Sequence, residues 1–322
     1  MTQVSEITEQ RHTSLEVPKT SKIGMGMTFA KMLLKNPAAL RRFKVMGPDE
    51  ERYVRPPREY EIPPFRESMK YCTSNEKYLR PTRYCNSREP EVTAMATELG
   101  AYELSDYEFA EAAYWFVKTN LLAEMLPLDG VSATLKRGTG TCYHLISVWI
   151  ALCRAAGIKG RYKTFNMLLP AEIMNQEEAE AEAELAGMYN SGLPEAEGEV
   201  YIDGNWVVGH VAMRPELFAR LGLPITKFGE DAIGSTFTLI PGTVKRFESL
   251  SLKYGIAMNA LMWLAPAAME RSGIYITNFL PQGRKIIEEA GGLEAYDMKA
   301  RERRLALPII EAKEHEALVF ED

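Results

Sequence analysis

A glycine-punctuated turn runs straight into an apolar helix that opens on a cysteine: Leu135-Lys136-Arg137-Gly138-Thr139-Gly140-Thr141-Cys142. Beyond it, Leu145, Val148, Trp149, Leu152 and Ala156 recur at helical spacing and define one buried face. Gly157 supplies a left-handed stop. Cys142 therefore falls in the first helical turn, where unbonded amides and the helix dipole gather positive charge. The expectation is a lowered thiol pKa that favours thiolate. Gly138 and Gly140 let the backbone come close, so that a substrate can approach and an amide can help hold an oxyanion. A cysteine at a helix start also occurs as plain core filling.

The flanking segments give this helix something to pack on. Ser105-Asp106-Tyr107-Glu108 is a capping box opening a helix with Phe109, Ala112, Ala113, Phe116 and Val117 on one side. Residues 160–168 alternate as a strand. Residues 199–203 and 206–213 read as a hairpin about Asp203-Gly204, a strong turn dipeptide, and 235–240 as a further strand. The expected core is α+β, an antiparallel sheet packed against the Cys142 helix.

Read from Leu135 to Arg161, the chain gives L-x-x-G-x-G-x-C-x(10)-C-R-A-A-G-I-x-G-R. This resembles the signature of the transglutaminase-like superfamily, a papain-like fold. Glu199-Val200-Tyr201-Ile202-Asp203-Gly204-Asn205-Trp206 is similar to that family's second and third strands. The resemblance covers roughly residues 95–240. It implies a nucleophilic cysteine, acyl transfer through a thioester intermediate, a histidine that shuttles protons and an acid that orients it. It implies a hydrolase or acyltransferase acting on an amide- or thioester-containing small molecule or peptide, with no cofactor and no metal.

The chain departs from the family at the histidine. The family places it a few residues before the Glu-Val-Tyr segment, with the acid four residues after the tryptophan. Here the first slot holds Glu195-Ala196-Glu197 and the second His210, so the two residue types are exchanged. Counting outward from the Asp203-Gly204 turn, Tyr201 meets Trp206, Glu199 meets Val208 and Glu197 meets His210. Directly opposed side chains share a face with Cβ atoms about 5 Å apart. Glu197 and His210 are thus the candidate carboxylate–imidazole partners of Cys142, and the carboxylate is expected to raise the imidazole pKa. A purely structural pair is the competing reading. Asp231 is a further acid able to orient His210 from a loop. His144 lies two residues past Cys142, about 200° round the helix, which leaves it lining the site rather than serving the thiol directly. Gly140 and Trp206 complete the supporting set.

Outside the core (93–242), the sequence divides into an N-terminal segment (1–92) and a helical extension (243–322). Residues 25–45 pattern as an amphipathic helix with Met25, Phe29, Met32, Leu33, Leu40 and Phe43 among basic residues. Residues 48–92, rich in Pro, Arg and Tyr, read as an arm wrapping the domain. Cys72 and Cys85 sit in similar turns there, with no further Cys or His at ligand spacing to make a zinc site. Residues 171–187 read as an acidic helix with a solvated face. Residues 256–269 read as a Met-rich helix broken at Pro266.

The 322 residues are 46% hydrophobic and 25% charged with a net charge of −6, an ordinary globular balance without the basic stripe of a nucleic-acid binder. No apolar run is long enough for a transmembrane helix. The opening residues lack a secretory pattern, and four cysteines suit reduced thiols in the cytoplasm. Three functions stay open: a thiol-dependent acyl-transfer enzyme, a catalytically inactive binding module using the same cleft, and a membrane-surface adaptor using the 25–45 helix.

Overall fold

The computed structural model describes residues 37–168, 193–232, 238–239 and 243–306. The N-terminal segment contributes α1 (Pro37–Lys44), then an arm with little regular structure up to α2 (Pro90–Glu98). The arm is pinned by its polar groups: Tyr60 Oη donates to Leu135 O at 2.7 Å, and Cys72 N to Ala155 O at 2.8 Å. The core continues through α3 (Asp106–Asn120), β1 (Leu122–Ala123), α4 (Val131–Arg137), β2 (Thr139–Gly140) and α5 (Cys142–Ala155). The capping box opens α3 as its residues require: Ser105 Oγ accepts from Glu108 N, and Glu108 Oε2 accepts from Ser105 N.

The main sheet has β3 (Gly160–Leu168), β4 (Leu193–Ile202), β5 (Asn205–Gly209), β6 (Thr238–Leu239) and β7 (Lys245–Phe247). Its order is β5-β4-β3-β6, with β7 beside β6 on the same edge of β3, and every pairing is antiparallel. The hairpin register is the one counted from sequence, with Tyr201 opposite Trp206 and Glu199 opposite Val208. Asp203 and Gly204 both take positive φ, 50° and 84°, as a type I′ turn demands.

One contact seats α5 on the sheet. Gly198 and Gly209 form the last pair of the β4–β5 ladder, and a Cβ on either would come within 2.5 Å of the Trp149 ring. The two missing side chains make a slot for an indole that is wholly buried and donates from Nε1 to Ala110 O at 3.0 Å. Trp149 therefore locks α5, α3 and the hairpin together. Arg154 does the same at the other end of α5. Its guanidinium is fully buried and bonded to the carbonyls of Arg80, Gly160 and Glu248, which ties in the arm, β3 and the chain after β7.

Two details differ from the sequence reading. The second hairpin strand stops at Gly209, and residues 210–213 leave the sheet toward α6 (Pro215–Arg220). The segment from 243 on, read as helical, first supplies strand β7. It then forms α7 (Leu252–Leu264), α8 (Pro266–Ala290) and α9 (Leu293–Ala306), with the expected break at Pro266. The helices α8 and α9 close a second, smaller core around α6, where Tyr296 Oη reaches the carbonyls of Phe218 and Leu223. The acidic segment 171–187, most of the 25–45 pattern and most of 235–240 lie outside the described residues. Among the described residues, no helix is long and apolar enough to cross a membrane.

Candidate active site

Cys142 is the first residue of α5, with Thr141 as its N-cap; the residue is half-buried and its thiol is not in a disulfide. Facing it, near the start of β4, is Glu195. The Glu195 carboxylate lies close enough for its charge to act on the thiol. That carboxylate accepts from Ala196 N at 2.9 Å through Oε1. Each group holds its proton more tightly than usual. Burial, then the Glu195 charge, pushes the Cys142 thiol well above its ordinary value. Burial pushes Glu195 up to about 7, against the Ala196 amide and with the neighbouring Glu197 charge adding to the rise.

The expectation of a thiolate is therefore overturned. The amides of the helix start do pull the thiol pKa down, but lost solvation and an adjacent carboxylate outweigh them. Beside the pair stand the Tyr143 and Tyr254 rings, their centroids 5.1 Å apart, with Tyr254 supplied by α7.

The hairpin pair is arranged differently from the expectation. Glu197 and His210 are the residues next beyond the Gly198–Gly209 rung. Glu197 is fully buried, with Oε2 at 3.0 Å from Lys163 Nζ and Oε1 accepting from Ala232 N at 2.9 Å. Burial pushes it up to about 7 even beside that lysine. Lys163 Nζ also meets Asp231 Oδ2 at 2.6 Å, so Glu197, Lys163 and Asp231 form one chain of charge. His210 is fully buried with its ring edge-on to Phe218, centroids 5.9 Å apart, and its carbonyl accepts from Lys118 Nζ at 2.7 Å. Burial and the Lys118 charge push its imidazole well below the ordinary value, the reverse of the rise expected from Glu197.

The supporting residues separate. Trp206 belongs to a group on the outer face, with the Arg161 guanidinium 3.8 Å from its ring centroid and Tyr78 and Tyr201 against it. His144 is buried under the start of α5, its Nδ1 3.0 Å from Thr141 N and its Nε2 3.1 Å from both Asp129 N and Asp129 Oδ1. A Cβ on Gly140 would lie 2.4 Å from that of His144, so Gly140 makes room for this histidine. Glu195 is the residue that the sequence reading left out of its site. The signal was present: Glu195 stands in the slot the resemblance gives to histidine, four residues before Glu199. The reading sought the displaced histidine instead of asking what its replacement does.

Residues 93–209 match the family model of the transglutaminase-like superfamily. No curated protein matches. Among solved structures, a candidate cysteine protease from Cytophaga hutchinsonii is similar at 21% identity and a TM-score of 0.33, over 54% of this chain and 51% of that one. The present chain thus spans about half of that protein's length. The family match falls on the segment that carries the Cys142 helix, β3 and the Asp-Gly hairpin, and the antiparallel sheet packed on that helix is the α+β arrangement expected of it. Residues 93–209 accordingly form a transglutaminase-like core.

Proposed function

We propose that this core carries out thiol-dependent acyl transfer on an amide or thioester, with Cys142 as nucleophile and Glu195 as the base. What supports this reading is the effect of the Glu195 charge on the Cys142 thiol, from within the Glu195-Ala196-Glu197 stretch where the resemblance puts the histidine. As sulfur attacks the carbonyl carbon, Glu195 takes the thiol proton. The protonated Glu195 then gives that proton to the departing amine or thiol, leaving a thioester on Cys142. In the second half, Glu195 deprotonates water or an acyl acceptor, which attacks the thioester and restores the thiol. A base works best with a pKa near the working pH, and a carboxylate brought to about 7 meets that condition where an exposed glutamate does not. In this reading the amides of the first turn of α5 hold the oxyanion. Four free cysteines support a reducing compartment such as the cytoplasm.

The test is acylation of the full chain by a peptide thioester or a p-nitrophenyl ester, followed by peptide mapping. The expected result is an acyl adduct on Cys142, lost in Cys142→Ser and strongly slowed in Glu195→Gln. A wild-type protein that never acylates Cys142 refutes the enzyme reading. The second reading, a binding module without catalysis, is favoured by the raised thiol pKa and the buried neutral His210, and that negative result is the one it expects.

A further inference from the structure

We infer that His144 is a positioning residue for Cys142: its imidazole ties the N-cap of α5 to Asp129 and so fixes the start of the helix that carries the thiol beside Glu195. Thr141 N lies 3.0 Å and Thr141 Oγ1 2.8 Å from Nδ1, and the Asp129 carboxylate stands 3.1 Å from Nε2. Asp129 N also stands 3.1 Å from Nε2. In one tautomer Nδ1 accepts from Thr141 N while Nε2 donates to Asp129 Oδ1, and in the other Nε2 accepts from Asp129 N while Nδ1 donates to Thr141 Oγ1. Either way the ring links Thr141 to Asp129. With both nitrogens engaged, the ring is no base for the neighbouring thiol. Asp129 is itself gripped at 2.7 and 3.2 Å by the Arg137 guanidinium, whose Nε also donates to Thr139 O at 3.0 Å. The segment 139–141 is therefore clamped from both ends just before Cys142. Gly140 completes the fit, since any Cβ there would collide with His144.

The residue type at this position follows from the chemistry. A capping box ordinarily puts Glu or Gln at the third helical position to accept the N-cap amide. Here the same side chain must also face a carboxylate. Glutamate would accept the amide but repel Asp129. Histidine accepts on one nitrogen and donates on the other, and glutamine, with a carbonyl oxygen and an NH2, can do the same.

This inference rests on the reading that Glu195 acts on the Cys142 thiol. Its test needs no substrate: the rate of Cys142 alkylation by iodoacetamide against pH in the folded full chain, with Cys72 as the internal reference. His144→Ala and His144→Glu are expected to alkylate about tenfold or more faster than wild type near pH 8, as the thiol swings away from the carboxylate. His144→Gln is expected to keep the wild-type profile. The deciding measurement is the double variant. If His144 acts through the Glu195 contact, His144→Ala in a Glu195→Gln background adds nothing further. Rates that multiply overturn the positioning role, because His144 then acts by general loosening. An unchanged profile in Glu195→Gln alone is a different failure, that of the thiol–carboxylate reading itself. Should His144→Ala not fold, His144→Glu carries the same cycle with the side-chain volume retained.

Discussion

Replacing Glu195 by Gln is expected to move two rates at the site in opposite directions. Glutamine keeps the shape and a hydrogen-bond acceptor for the thiol but removes the negative charge. In wild type, ionising Cys142 puts a thiolate beside a carboxylate, in surroundings that already penalise charge. Two like charges about 4 Å apart repel by about 4 kcal/mol at an effective dielectric near 20. About 1.4 kcal/mol is worth a tenfold change in thiolate population. Relief of even a third of the repulsion therefore makes Cys142 about tenfold more reactive to iodoacetamide at pH 8.5, where wild-type Glu195, with a pKa of about 7, is ionised. Acylation by a thioester is expected to fall, because the base is gone, and loss of a general base typically costs about 10²–10⁴ in rate. Alkylation is read by peptide mapping across pH 6–10, and acylation by the adduct on Cys142. Equal falls in both rates would sink the reasoning, since they would mean a disturbed site. Unchanged alkylation would show that the carboxylate does not act on the sulfur.

The same substitution should change how stability depends on pH. A carboxyl raised from 4.5 to about 7 on folding contributes stability that is fully present below 4.5 and lost as pH rises through 7, at most about 3 kcal/mol. Urea midpoints should therefore show Glu195→Gln gaining on wild type between pH 5 and pH 8, and a constant difference refutes this. Lys163→Met leaves Glu197 buried without its cation and should cost about 3 kcal/mol in urea unfolding, partly recovered by adding Glu197→Gln; a neutral single variant would show the pair to be unimportant. Gly198→Ala drives a methyl into the Trp149 ring and should cost about 2 kcal/mol or more, with a shift in tryptophan fluorescence; unchanged stability would mean the slot is looser than its distances.

Where a local rule and tertiary packing ask for the same thing, the elements could be read from sequence. Ser105 and Glu108 cap α3 from within four residues, and the Asp203-Gly204 dipeptide dictates its own turn and hence the β4–β5 register. The Cys142 helix was legible because its apolar face and its flanking glycines are both local. β7 escaped because three residues, Lys245–Phe247, carry no periodicity and become a strand only by pairing with Tyr162–Thr164. α6 escaped because its burial depends on α8, which packs so closely that a Cβ on Gly283 would strike the Glu216 backbone. At the site, the hairpin count held as far as the Gly198–Gly209 rung, where β5 ends, and it carries no information about third parties. Lys163 and the Ala232 amide take up Glu197, and Lys118 sets the charge around His210. The sign of the Cys142 shift was missed for a related reason. Helix amides are local and visible in sequence, whereas desolvation and a facing carboxylate belong to the folded core.

Burial acts in opposite senses on an acid and on a base, and this gives the exchanged residues their logic. Lost solvation disfavours charge, so it weakens a buried carboxylic acid and weakens a buried imidazole as a base. Histidine in the slot facing the sulfur would need solvent or a partner carboxylate to keep its basicity. Glutamate in that slot is improved as a base by the same environment, rising to about 7. In the slot after the tryptophan, burial first and the Lys118 charge second hold His210 neutral. The two positions thus take the residue types that a dry interior favours in each. What this arrangement gives up is a resting thiolate. On the proposed mechanism the sulfur stays protonated until a substrate carbonyl arrives to share the cost of ionisation, and a protonated thiol is a poor target for oxidants and alkylating agents. On this argument, low resting reactivity of Cys142 together with substrate-dependent acylation is the mark of the site, and fast alkylation of the free wild-type protein at neutral pH would contradict it.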